Sequence, residues 1–147
     1  MKKYLSLLLL CAAVFLSSCE KTDPAEEVAG LYSYHETGSL NIGGQTLPWE
    51  MDGTFAVSKS GASHIVLTGD FEGDGYVNQD YTINIVSDES NFTLEGITYR
   101  FENTYTNARY TNGDSHLSWR TYALVTATYQ GQVLYGTLET YTSAKKK

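Results

Sequence analysis

Apolar residues return at every second position along most of this chain. Trp49, Met51, Phe55 and Val57 share one parity, with Gly53 among them, while Glu50, Asp52 and Thr54 take the other. Ile65, Leu67 and Phe71 form a third run after a first at residues 31–42, where Tyr32 and Tyr34 share a side. In a fourth, Val77, Tyr81, Ile83 and Ile85 alternate with Asn78, Asp80, Thr82 and Asn84. In a sixth, Ile97, Tyr99, Phe101 and Tyr105 oppose Thr98, Arg100, Glu102, Thr104 and Thr106. A period of two marks a half-buried β-strand, because successive side chains leave opposite faces. Residues 92–94 read as a short fifth strand. The run at 117–129 is apolar on both parities, with Tyr122 and Leu124 against Trp119, Ala123, Val125 and Ala127, which predicts cover on both faces. The last run carries Val133, Leu134, Tyr135, Leu138 and Tyr141. No window shows convincing helical periodicity.

Turn residues punctuate these runs. Gly43-Gly44 is a two-residue hairpin signal, since both positions accept positive φ. Lys59 to Ala62, Gly73-Asp74-Gly75, Ser87 to Ser90, Glu95-Gly96, Asn112-Gly113 and Gln130-Gly131 mark the others. Pro48 predicts an edge or a bulge early in the second run. About eight strands result, joined by connections too short for a crossover helix, so neighbours pair antiparallel. The fold class is therefore all-β, a single antiparallel domain. A sheet of this size must curl to bury its apolar face. An up-and-down barrel follows if every link is a hairpin, and a β-sandwich is the alternative.

The first residues follow another plan. Lys2 and Lys3 precede an apolar stretch from Tyr4 to Phe15, then Leu16-Ser17-Ser18-Cys19. A charged start, an apolar middle and small residues form the plan of a secretory signal. The cysteine behind Leu-Ser-Ser resembles the lipobox of bacterial lipoproteins. The resemblance implies cleavage before Cys19, lipidation of its thiol and acylation of the new amino end. Residues 1–18 are then the signal peptide, 19–29 a lipid-anchored polar tether, 30–142 the β domain and 143–147 a frayed basic tail. The dispersed Glu20, Asp23, Glu26 and Glu27 also resemble the surface-export signals of Bacteroidota lipoproteins. The expected location is the bacterial cell envelope, at the outer membrane, on its periplasmic or surface face.

Charge and cysteine count sharpen this picture. The net charge is −7, and loss of Lys2 and Lys3 with the signal takes it to −9. Such a surface excludes nucleic acid, whose phosphates require a basic patch. It also excludes electrostatic attachment to anionic lipid, so the acyl chains must hold the protein, each buried methylene contributing about 0.8 kcal/mol. Cys11 lies in the signal and Cys19 at the anchor, and these are the 2 cysteines of the chain. The mature domain thus has neither disulfide nor catalytic thiol, and its core must stabilise it alone.

With the strand order set, the chain is similar to small Bacteroidota lipoproteins with a calycin-like (lipocalin-like) barrel over residues 28–142. Gly30-Leu31-Tyr32 resembles the Gly-x-Trp that opens lipocalins, with Tyr in place of Trp. The resemblance implies a barrel interior that binds a small apolar ligand. Asp70, Glu72, Asp74 and Asp80 resemble a calcium loop, but position twelve is Tyr81 and the flanks are strands, so an acidic hairpin turn is the expectation. His35, His64 and His116 lack metal or triad spacing. The expected function is non-enzymatic binding of a small ligand or a partner protein. Glycan binding through exposed Trp and Tyr is the alternative, and a hydrolase the further one. No cofactor and no catalytic or metal-binding residue is assigned.

Overall fold

The computed structural model describes residues 22–102 and 105–147. The signal segment and Cys19 lie outside the described residues. A five-residue helix, α1 (Pro24–Val28), precedes ten strands: β1 (Gly30–Ile42), β2 (Gln45–Gly61), β3 (His64–Gly69), β4 (Gly73–Val77), β5 (Thr82–Ser87), β6 (Ser90–Leu94), β7 (Ile97–Phe101), β8 (Tyr105–Thr111), β9 (His116–Tyr129) and β10 (Gln132–Lys146). Every pairing is antiparallel. β1, β2, β3, β4, β5, β8, β9 and β10 close into an eight-stranded barrel, because β10 pairs with both β9 and β1. The hairpin β6–β7 adds two strands beside β9.

The long hairpins are those the alternation predicts. Gly43 and Gly44 take φ of 58° and 79°, the left-handed values a tight β1–β2 turn needs. Pro48 faces Ser39 of β1, while β3 pairs with β2 only from Phe55 onward, so Pro48 lies on a free edge as expected.

Several expectations are corrected. The fourth run is two strands, β4 and β5, separated by a turn at Tyr81, whose φ is 61°. Gly73-Asp74-Gly75 is the start of β4 instead of a turn. The sixth run is also two strands. β7 ends at Phe101 and β8 begins at Tyr105, and the inward parity differs between them, so Thr106, Ala108 and Tyr110 of β8 are buried. β9 is not covered on both faces: Tyr122 is 59% and Leu124 50% exposed.

The ends of the domain differ from expectation as well. Residues 24–28 of the polar tether form α1, which seals one end of the barrel with Ala25 and Val28 fully buried. Asp23 caps the helix by accepting the Ala25 N–H at 3.0 Å, and Pro24 occupies the first turn, where its missing N–H costs nothing. So short a helix cannot stand alone, and tertiary contacts hold it. Tyr32 Oη donates to the Val28 carbonyl at 2.6 Å, Tyr81 Oη to Glu27 at 2.8 Å, and Lys59 pairs with Asp23 at 2.8 Å. The basic tail is not frayed either: β10 continues to Lys146, which pairs with Tyr32 and donates from Nζ to the Glu27 carbonyl at 3.0 Å. That carbonyl lies at the negative end of α1, where a cation is favoured.

Candidate functional site

The barrel interior is filled near α1 and hollow farther along, before a second, smaller cluster around Leu40, Ala123, Val125 and Leu138. Near α1, the inward positions carry large side chains. Tyr32 stacks on Phe55 with centroids 5.3 Å apart, and Phe55 meets Trp119 edge-on at 5.7 Å. Tyr34, Phe71 and Trp119 continue this layer. Farther from α1, the inward positions of β9 and β10 shrink to Thr121, Ala123 and Thr140, and a chamber of about 280 Å³ opens. That volume falls just under the ~300 Å³ at which ligand sites usually begin.

The chamber lies where the barrel wall forks. β9 pairs along its whole length with β10, but on its other side His116–Trp119 face β8 while Val125–Thr128 face β7. Thr121 lies between the two contacts and lines the chamber, beside Phe101 and Glu102 at the end of β7 and Thr106 at the start of β8. Above it, Trp49 from β2 meets Phe101 edge-on, with centroids 6.0 Å apart.

One carboxyl group stands inside. Glu36 occupies an inward position of β1 and is only 5% exposed. Trp49 Nε1 donates to its Oε1 and Thr142 Oγ1 to its Oε2, each at 2.7 Å. Two further hydroxyls are buried and find no hydrogen-bond partner among the described residues: Thr140 Oγ1, on the chamber wall, and Tyr34 Oη. Buried polar groups normally have partners, so Thr140, which lines the chamber, is the candidate for contact with a bound molecule. Burial first, and then the negative charges of Asp70, Glu36 and Asp52, push the Tyr34 phenol up to about 12, so it stays a neutral donor. The Asp70 carboxylate beside it accepts the Thr54 N–H at 2.8 Å. Gly53 makes this meeting possible, because a Cβ there would sit 2.1 Å from Asp70 Oδ2 and 2.9 Å from Tyr34 Oη.

Comparison with family models, curated proteins and solved structures returned no match.

The residues singled out by sequence take separate places. Asp70 and Glu72 reach the chamber rim, and Asp74 points outward from β4. Asp80 caps the next turn, accepting from Thr82 N at 3.1 Å and Oγ1 at 2.7 Å, bonds that hold its carboxyl below the usual range. The four acids therefore do not converge, and no group of three His, Cys, Asp or Glu among the described residues is placed to hold a metal. His35 pairs with Asp52 at 2.8 Å on the surface. His116 Nε2 lies 2.8 Å from Ser143 Oγ. That contact is a diagonal cross-strand pair on the outward parities of β9 and β10, opposite to those of Leu117 and Ala144, which face the core. Trp49 and Trp119 both point inward and line the chamber. Sequence reasoning did not single out Glu36 or Thr140, although both are polar residues on apolar parities.

Proposed function

We propose that this chain is a non-enzymatic lipoprotein of the bacterial cell envelope, anchored through Cys19, whose calycin-like barrel holds a small ligand in the chamber around Glu36. One observation carries the ligand reading: an aromatic-lined chamber is walled by a buried carboxyl, Glu36, and by Thr140, whose buried hydroxyl has no partner among the described residues. Apolar walls with a few fixed polar groups are the usual make-up of a small-molecule site. The barrel suits such a role because the core near α1 holds the fold and leaves the chamber beyond it unfilled. The lipobox and the acidic balance support the anchor.

The chain's 2 tryptophans both line the chamber, so its intrinsic fluorescence reports on this site. Titrating the full chain with small aromatic compounds should change that fluorescence saturably. Thr121→Phe, which fills the fork, should abolish the response while the circular dichroism of a β protein persists. A response that never saturates, or that survives the filling variant, contradicts the ligand reading. For the anchor, Cys19→Ser should move the protein from the membrane to the soluble fraction, and retention on membranes through salt and alkaline washes refutes lipidation at that thiol.

A further inference from the structure

We infer that the chamber selects an organic cation, an ammonium group carried on a small apolar or aromatic body. This rests on reading the chamber as a ligand site and names the chemistry of what it takes.

The charged residues of its lining are of one sign. Glu36, Asp70, Glu72, Asp88 and Glu102 line the chamber, and among the described residues no Lys, Arg or His does. Low-dielectric walls lined by one sign of charge focus the field and raise the local concentration of the opposite ion. Glu36 has the deepest need of a counter-charge. It is 5% exposed, both its hydrogen-bond donors are neutral, and no ion pair among the described residues includes it. A carboxylate offers about four lone-pair sites, so each oxygen can accept again. Removing one from water without a cation nearby is costly, and a bound ammonium offsets that cost.

The unpartnered hydroxyl is an independent pointer. Thr140 is 6% exposed, lines the chamber and lies on the same face of β10 as Thr142, which holds Glu36. Its oxygen can accept from an ammonium N–H. Aromatic rings supply the rest. Trp49 and Phe101 roof the chamber, Phe71 and Trp119 floor it, and the faces of such rings attract cations. A bare metal ion fits poorly, because the carboxylates are dispersed around the rim with no three gathered in one place. An anion would meet five carboxylates, and a purely apolar molecule would leave Glu36 and Thr140 as they are.

Three probes of similar shape separate these cases: 2-phenylethylammonium, 2-phenylethanol and 3-phenylpropanoate. Each is titrated into the full chain at pH 7 and about 0.15 M salt, where exposed charges more than about 8 Å apart are screened. The cation should bind at least about tenfold more tightly than the alcohol, with the carboxylate weakest. Glu36→Gln should erase the preference for the cation, and Thr140→Val should weaken cation binding by a smaller factor. The ranking on the unaltered chain decides by itself, so the test survives a variant that fails to fold. If the alcohol or the carboxylate binds as tightly as the amine, the cation inference is overturned while the chamber remains a ligand site. If none of the three binds saturably, both readings fall.

Discussion

Tyr34 shows what a buried hydroxyl without a partner costs a fold. Its ring packs against Phe55 and Phe71, yet its hydroxyl is buried without a partner. Leaving such a group unsatisfied costs about 1–3 kcal/mol. Tyr34→Phe keeps the ring and removes the oxygen, so urea unfolding should show equal or greater stability, by about 1 kcal/mol. A clear loss of stability would mean that the hydroxyl has a structural partner after all. Glu36 differs in having two hydrogen-bond donors, and it was visible in the sequence as the only charged residue on the parity of Tyr32, Tyr34 and Leu40 in β1. Its partners were not visible. Trp49 lies 13 residues away and Thr142 lies 106 away, and only barrel closure brings Thr142 beside β1.

Among the elements, α1 is the one that periodicity had no means of finding. A helix this short shows too little of a 3.6-residue repeat, and its burial depends on a barrel end that must form around it. Its attachment has a measurable pH signature. The Lys59 ammonium, and then the Ala25 N–H, hold the Asp23 carboxyl below its ordinary value of 3.8, and Asp23 in turn raises Lys59 above 10.5. A depressed carboxylate contributes stability that is present above its unfolded value and lost as pH falls through its folded value. A raised amine contributes stability that is present below its unfolded value and lost as pH rises through its folded one. The melting temperature of Asp23→Asn should thus lie below that of the unaltered chain by a constant margin between about pH 4 and pH 10. The margin should close in stronger acid and in stronger base. Asparagine still caps a helix, so the comparison isolates the charge. A margin that persists at pH 2 would assign the effect to something else.

The hairpins were legible because each keeps its alternation between clear turn residues. The β6–β7 hairpin was legible too, in residues 92–94, the Glu95-Gly96 turn and the run from Ile97, but the end of β7 was not, since Phe101 and Tyr105 keep the same sequence parity while the inward parity differs between β7 and β8. That reversal brings Thr106 to the interior and forks the wall beside β9, so the feature that hid from the alternation is also the one that shapes the chamber.

At the scale of the whole molecule, the barrel divides its labour along its axis. The end near α1 is packed with Tyr, Phe, Ile, Leu and Trp, and supplies the burial a domain without a disulfide needs. A second, smaller cluster around Leu40, Ala123, Val125 and Leu138 supports the sheet beyond the fork. Between them lies the chamber, with acidic residues at its rim. The sequence carried the fold class and closely carried the strand count, but the position of the hollow depends on register, which places small residues from distant strands in one layer. The most direct test is nitrogen-15 NMR of the full chain, whose 2 indole signals come from Trp49 and Trp119. On titration with 2-phenylethylammonium, both indole signals should shift saturably together with the Glu36 and Thr140 amides, while the amides of Tyr122 and Tyr141 on the outer wall stay in place. Shifts confined to the outer wall, with both indole signals unmoved, would contradict a chamber built to bind.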